Sequence, residues 1–152
     1  MTKLKILVVE DTYSHLQDAI RVLEEAGVEV VTACTANSGR SELVSGGMAK
    51  VDGVITDLFM PDSQYNPNDT GDQPCGLSVA VIAHQIGIPC VICTAGYHHG
   101  DKYDWICSLG RKLRWPEMVD CYNDDRNAES QKKDWVKALE VLKEQIEKSK
   151  EH

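Results

Sequence analysis

Polar side chains that can bind a cation or a phosphate stand directly after three apolar segments of the chain. Glu10 and Asp11 follow the first such segment, Asp57 follows a second, and Thr94 follows a third. Carboxylates that converge on one place repel one another unless a cation or a proton neutralises them. Hard oxygen ligands of this kind suit Mg²⁺, which keeps several waters and often bridges to phosphate. If the fold brings them together, these residue types predict a magnesium and phosphate site.

Short apolar segments alternate along the chain with segments of helical spacing. The predicted strands are 4–9, 28–31, 51–56, 88–93 and 118–122, and the predicted helices are 14–26, 36–45, 77–86, 101–113 and 131–149. This alternation predicts a doubly wound α/β protein with a five-stranded parallel sheet and helices on both faces. Binding sites of such sheets form at the carboxyl ends of the strands, where the strand order reverses. The acids and Thr94 are therefore expected at one edge.

Each of these residues, taken alone, also has a purely structural interpretation. Asp11 could be the N-cap of the first helix. Asp57 could be an ordinary loop acid, and Thr94 could be a β-branched strand residue. The prediction of a site rests on their occurring together at strand ends.

Length and charge bound the class of protein. The 152 residues match one domain, and we expect a single domain over 1–152 without an output domain. The formal net charge of −8 argues against binding to nucleic acid or to an anionic membrane surface. The N-terminus does not read as a signal peptide, and the six cysteines are expected to be reduced. A cytoplasmic location follows as an expectation.

Two further motifs have a metal-binding or redox interpretation beside a structural one. Cys90 and Cys93 form a CxxC, but positions i and i+3 of a strand point to opposite faces, which favours buried packing. His98 and His99 could ligate a transition metal, but adjacent histidines in a glycine-flanked loop favour a solvated position.

Three stretches resemble the receiver domain of two-component response regulators. They are Lys5–Asp11, Asp57–Pro61 with its Asp-x-x-Met-Pro pattern, and Pro89–Ala95 with its Thr-Ala ending. The resemblance covers roughly residues 3 to 148. It implies the flavodoxin-like strand order 2-1-3-4-5.

The resemblance also implies roles for individual residues. Asp57 matches the phosphoacceptor, and Asp11 and Glu10 match the acids that hold Mg²⁺ with Asp57, Asp11 directly and Glu10 through water. The backbone carbonyl of Phe59 matches a further Mg²⁺ ligand. The phosphoryl-binding and switch positions fall on Thr94 and Ala95, with Tyr122 as a candidate switch aromatic. The implied partners are a histidine kinase or phosphotransfer protein and a downstream protein.

The sequence departs from the family pattern at three places. The family's lysine after strand five falls here on Asp124 or Asp125, so that the lysine is expected to be missing and Arg126 is the candidate substitute cation. The loop at about 61–75 is longer than the family's by about eleven residues. Its acids do not have EF-hand spacing, which favours a plain flexible loop. The segment 94–122, which forms the output face in the family, is also long and rich in aromatic residues.

Two functions from different classes follow. The first is a phosphoacceptor that signals by protein contact and is not an enzyme beyond its own phosphotransfer and autodephosphorylation. The second is a pseudo-receiver, an interaction module that keeps the fold without switching by phosphate, which a missing lysine favours. An aspartyl-phosphate hydrolase is disfavoured because Phe59 stands where an Asp-x-Asp signature needs its second acid.

Overall fold

The computed structural model describes residues 2–45, 50–95, 104–120 and 132–151. Five parallel strands form one sheet in the order β2-β1-β3-β4-β5, which confirms the predicted doubly wound fold. The elements in chain order are β1 Lys5–Val9, α1 Tyr13–Glu25, β2 Glu29–Ala33, α2 Ala36–Val44, β3 Gly53–Thr56, α3 Gly76–Gln85, β4 Cys90–Cys93, α4 Asp104–Leu113, β5 Glu117–Val119 and α5 Trp135–Ser149.

The sheet is covered by two apolar clusters, one on each face. Alternate residues of β1 point into opposite clusters, with Ile6 and Val8 packing in one and Leu7 and Val9 in the other. Both faces of the central strands are therefore buried, which explains why these strands are continuous apolar runs in the sequence. Apolar burial on this scale stabilises the frame that holds the polar edge in place.

The register between β1 and β3 decides where the acids lie. Val9 pairs with Thr56 at the carboxyl ends of the two strands. The next residues, Glu10 and Asp57, consequently leave the sheet side by side. The strand order changes direction between β1 and β3, since β2 lies beyond β1 and β4 beyond β3. The acids thus stand at the expected switch point of the sheet.

The last helix begins later than its sequence pattern suggests. The expected helix over 131–149 starts at Trp135, and Asp134 is its N-cap, with a side-chain oxygen 3.0 Å from the backbone nitrogen of Lys137. An aspartate at this position satisfies a backbone N–H that has no partner within the helix. Lys132 and Lys133 precede the cap, outside the helix.

The two cysteines of the CxxC motif are buried in opposite clusters, as predicted. Cys90 packs in the cluster of Leu7, and Cys93 packs in the cluster of Ile6. Both are free thiols. Burial raises the pKa of each to about 12, so neither is poised as a thiolate for redox chemistry or metal binding.

Among the residues that the structure describes, no helix is long and apolar enough to span a membrane.

Candidate functional site

Three carboxylates meet at the carboxyl ends of the two central strands. Glu10, Asp11 and Asp57 each offer an oxygen atom, and these atoms lie within 4.8 Å of one another. It is the only group of three or more such ligands among the described residues. Asp62 and Asp69 of the long loop therefore form no second metal cluster there.

Asp57 is held in one orientation by its own strand and by its neighbours. Its backbone nitrogen donates to the carbonyl of Val9, at 2.8 Å, which extends the sheet by one residue. One side-chain oxygen, Oδ1, accepts from the backbone nitrogen of Leu58 at 2.8 Å and from Lys133 Nζ at 3.0 Å. The side chain remains 12% exposed, so the carboxylate is fixed and still reachable from the pocket.

Glu10 is completely buried, unlike nearly all glutamates. Burial, together with the nearby Asp57 carboxylate, raises the pKa of Glu10 to about 7, although the Lys133 ammonium acts in the opposite direction. One carboxylate oxygen of Glu10, Oε1, accepts from the backbone nitrogen of Thr12 at 3.2 Å. Burial and this hydrogen bond therefore fix the position of the Glu10 carboxylate.

Asp11 has a different environment from Glu10, because it is exposed at the rim of the pocket. Partial desolvation of its carboxyl group and the charge of Asp57 nevertheless raise the pKa of Asp11. The N-cap of α1 is Thr12, whose side chain makes no capping hydrogen bond. The structural interpretation of Asp11 as a helix cap is therefore wrong, and its carboxylate is available to the site.

Lys133 corrects the expectation that the site lacks a lysine. It ion-pairs with Glu10 and with Asp57, and its side chain is 1% exposed. Burial alone would lower the pKa of Lys133, but the carboxylates of Asp57 and Glu10 outweigh burial and raise it. The raised pKa favours the charged form of Lys133, which faces the phosphoacceptor candidate.

This lysine reaches the site from the residue just before the N-cap of α5, and not from the residues directly after β5, where the family pattern places it. Thirteen positions separate it from Val119, the last residue of that strand. The signal that could have found it is a lysine just before an N-cap aspartate, Lys133-Asp134, at the entrance to the last amphipathic helix. The candidate substitute Arg126 and the candidate switch residue Tyr122 lie outside the described residues, as do Asp124, Asp125, His98 and His99.

Asp11, Asp57 and Lys133 border an open cavity of about 330 Å³, whereas Glu10 is fully buried and is not part of the cavity lining. Thr94 and Ala95 line it from the end of β4, and Phe59 lines it from the segment after β3. Thr94 is buried, and its backbone nitrogen donates to the carbonyl of Val119 at 2.9 Å. The structure therefore brings together every described residue that the sequence assigned to the site.

Four further residues line the cavity that the sequence did not assign to it. Thr12 and His15 come from the start of α1, and Gly71 and Asp72 come from the long loop. No motif marks the loop residues, because their place depends on how the loop folds back over the sheet edge. That folding is visible only in three dimensions.

Helix α4, which follows Thr94 along the chain, carries exposed apolar side chains. On α4, Trp105 is 53% exposed and Leu113 is 61% exposed. Trp115 instead packs its ring against His84, with a centroid separation of 4.9 Å. Tyr97 and Tyr103 lie outside the described residues.

Solved structures with the same fold include receiver domains of response regulators. The signal receiver domain of an HD domain-containing protein from Pseudomonas fluorescens Pf-5 is 16% identical, with a TM-score of 0.65 over 99% of this chain and 100% of that one. A response regulator receiver protein from Sinorhizobium medicae WSM419 is 18% identical, with a TM-score of 0.64 over 97% of both chains. A receiver domain protein from Clostridium thermocellum is 24% identical, with a TM-score of 0.60 over 97% of both.

No family model matches the sequence, and no curated protein matches it. The likeness to solved structures extends over almost the whole chain, so it concerns the complete sheet and not a local motif. The chain has the fold of a response regulator receiver domain, which confirms the resemblance found in the sequence.

The donor set at the carboxylate cluster fits a magnesium ion. All three side chains offer hard oxygen atoms, and the fully buried Glu10 has only the Lys133 cation to offset its charge among the contacts of the described residues. Mg²⁺ is usually bound through one or two carboxylates and retains waters, which an open cavity accommodates. Asp11, Asp57 and the carbonyl of Phe59 would hold the ion directly, and Glu10 would contribute through a water molecule.

Proposed function

We propose that this protein is a phosphoacceptor of a two-component phosphorelay and that Asp57 receives the phosphoryl group. The observation that carries the proposal is the contact of Lys133 Nζ with Asp57 Oδ1, at 3.0 Å, inside a three-carboxylate cluster at the sheet's switch point. An ordinary loop acid needs neither a buried lysine nor two further acids beside it. The arrangement is suited to a carboxylate nucleophile that becomes a negatively charged acyl phosphate.

The proposed step is an in-line displacement at phosphorus. A carboxylate oxygen of Asp57 forms a bond to the phosphorus atom, and the bond from phosphorus to the donor's leaving group breaks with its electron pair staying on that group. The donor is a phosphohistidine of a histidine kinase or phosphotransfer protein, or a small acyl phosphate. The product is an acyl phosphate on Asp57.

Charge neutralisation decides whether this step is feasible. A bound phosphoryl group adds roughly −1.5 to −2 charge to a site that already holds three carboxylates. A Mg²⁺ ion held by Asp11, Asp57 and the carbonyl of Phe59 would supply two positive charges to offset this charge. Lys133 supplies one more positive charge beside Asp57, and Thr94 lines the cavity, where its hydroxyl would donate a hydrogen bond to a phosphoryl oxygen.

The state of Asp57 would be passed on by protein contact rather than by an enzymatic product. Thr94 connects the cavity to β4, and the exposed apolar side chains of α4 follow further along the chain. We propose that this surface binds the downstream protein and that the domain acts in the cytoplasm. The acidic net charge of −8 agrees with partners other than nucleic acid or anionic membranes.

The proposal is tested by incubating the protein with Mg²⁺ and acetyl phosphate and measuring the intact mass. We expect one added phosphoryl group in the wild type and none in Asp57→Asn. Asp52→Asn is the matched control, since Asp52 is exposed and precedes β3 at its opposite end. Label that persists in Asp57→Asn contradicts the assignment. A wild type that takes no label from either acetyl phosphate or a phosphohistidine protein identifies the pseudo-receiver instead.

A further inference from the structure

The long loop between β3 and α3 is attached to the rest of the molecule at several points. The backbone nitrogens of Ala36 and Asn37, at the start of α2, donate to the carbonyls of Pro61 and Asp62 at 3.1 and 2.8 Å. Arg40 pairs with the Asp62 carboxylate at 2.7 Å. These contacts hold the first residues of the loop against α2. The first residues of the loop are therefore attached to α2, unlike those of the plain flexible loop that the sequence predicted.

Asp69 determines how the loop turns back towards the site. One of its carboxylate oxygens accepts from the backbone nitrogen of Asp62 at 2.7 Å, and the other accepts from that of Gly71 at 3.2 Å. A single side chain thus joins the two arms of the loop. Gly71 has φ +80°, a conformation in which glycine avoids the strain that a side chain would bring.

The returning arm of the loop forms a wall of the phosphoacceptor cavity. A Cβ atom placed on Gly71 would lie 3.5 Å from Oδ2 of Asp11, so the backbone passes directly beside a proposed metal ligand. Asp72, the next residue, lines the same cavity as Asp57 and Lys133. Asp72 therefore adds an acidic residue from outside the sheet to the cavity lining that already contains Asp11 and Asp57.

From this geometry we infer that the charge of Asp72 strengthens divalent-cation binding at the Asp57 pocket. We also infer that Asp69 holds the loop so that Asp72 stays at the cavity. The inference rests on the proposed function, because it concerns the same site. Asp72 is exposed, so its attraction for the cation acts partly through water and is screened by salt. We expect a contribution of about threefold to cation affinity at low ionic strength, since one charge acts on a divalent ion across solvent.

The experiment is calorimetric titration of the folded protein with Mg²⁺ at low and high salt. Asp72→Asn should weaken binding about threefold at low salt, with the difference shrinking at high salt. Asp72→Glu should restore the affinity, because it restores the charge. Glu24→Gln removes an exposed acid near the far end of α1 and is the matched control, expected to bind as the wild type does.

Asp69→Ala tests the attachment of the loop, which Asp72→Asn leaves intact. It should lower the affinity to the level of Asp72→Asn, and the double variant should show no further loss, because both changes remove the same carboxylate from the wall. Equal affinities of Asp72→Asn and wild type overturn the inference, as do additive losses in the double variant. Phosphoryl labelling of the wild type is measured in the same buffer. If the wild type takes the label and Asp72→Asn binds Mg²⁺ as tightly as the wild type, this inference alone is refuted. If the wild type neither binds Mg²⁺ nor takes the label, the proposed function is refuted as well.

Discussion

At the scale of single residues, the charge of Lys133 should be a large contributor to the stability of the metal-free protein. Replacing it with methionine keeps most of the side-chain volume but leaves Glu10 and Asp57 without their buried cation. Removing one partner of a buried ion pair typically costs about 3 kcal/mol or more. We expect Lys133→Met to lower the free energy of unfolding by about that amount near neutral pH, measured by urea denaturation in EDTA.

The neighbouring lysine provides the control for this prediction. Lys132 is exposed, so Lys132→Met removes the same charge without leaving a buried carboxylate unpaired. Its effect should be small, within about 0.5 kcal/mol. Millimolar Mg²⁺ should recover part of the loss in Lys133→Met, since it neutralises the same carboxylates. Equal losses for the two variants would show that Lys133 is not the cation that balances the site.

How far the site can be predicted depends on what fixes each residue in place. Glu10, Asp11, Asp57 and Thr94 directly follow strands, so the regular geometry of a parallel sheet is sufficient to bring them together. Lys133 cannot be placed in this way, because its approach to Asp57 depends on the path of the chain between β5 and α5. A resemblance based on short motifs expects the lysine at a fixed distance from the strand, and this chain has it elsewhere.

At the scale of elements, the start of α3 should not tolerate a side chain at Gly76. A Cβ atom there would lie 1.7 Å from the backbone oxygen of Asp57, far inside any permitted contact. The backbone nitrogen of Gly76 also donates to the carbonyl of Leu58 at 2.9 Å, which ties α3 to the segment that carries the phosphoacceptor. Relief of the clash requires movement of this backbone.

We therefore expect Gly76→Ala to destabilise the protein by at least about 3 kcal/mol and to lower phosphoryl labelling of whatever protein remains folded. Gly87→Ala is the informative comparison, because Gly87 has φ +77° but a Cβ atom added to it would meet no other atom within 4 Å. It should cost only about 1 kcal/mol of backbone strain and leave labelling unchanged. A Gly76→Ala protein as stable as Gly87→Ala would show that the close approach is not rigid.

The boundaries of the elements are harder to predict than their order. Buried strands such as β1 and β4 are marked by continuous apolar runs; both end where predicted, and they begin one and two residues later than predicted. The sequence pattern starts α5 four residues too early, at 131 instead of Trp135, because lysines before a helix look like the polar face of that helix. Only the capping role of Asp134, which accepts from the nitrogen of Lys137, separates the two interpretations.

The cap of α5 also has a consequence that can be measured. Asp134→Ala removes the acceptor for the Lys137 backbone nitrogen and should cost about 1 kcal/mol. Asp134→Asn should cost less, because asparagine retains a capping oxygen. Thermal unfolding of the three proteins in EDTA gives the comparison. A loss that is the same for both variants would point to the charge of Asp134 rather than to its capping hydrogen bond.

At the scale of the whole molecule, the acids of the site make stability depend on pH and on the cation together. Burial and the Asp57 charge raise the pKa of Glu10 from 4.5 to about 7, and the pKa of Asp11 is raised in the same sense. A carboxyl group whose pKa is higher in the folded state binds more protons there than in the unfolded chain. Its contribution therefore makes the protein less stable as pH rises between the two values.

This sign leads to opposite expectations for the metal-free and the magnesium-bound protein. In EDTA, the Glu10 contribution should lower the melting temperature as pH rises from about 4.5 to about 7, and Glu10→Gln should flatten this part of the profile. The stabilisation given by Mg²⁺ should grow over the same window, because the ion binds the deprotonated carboxylates and only in the native state. Melting temperatures measured with EDTA and with millimolar Mg²⁺ at matched pH test both expectations. A Mg²⁺ stabilisation that is constant across this window, or an unchanged slope in Glu10→Gln, would place the proton-linked group outside the cluster of Glu10, Asp11 and Asp57.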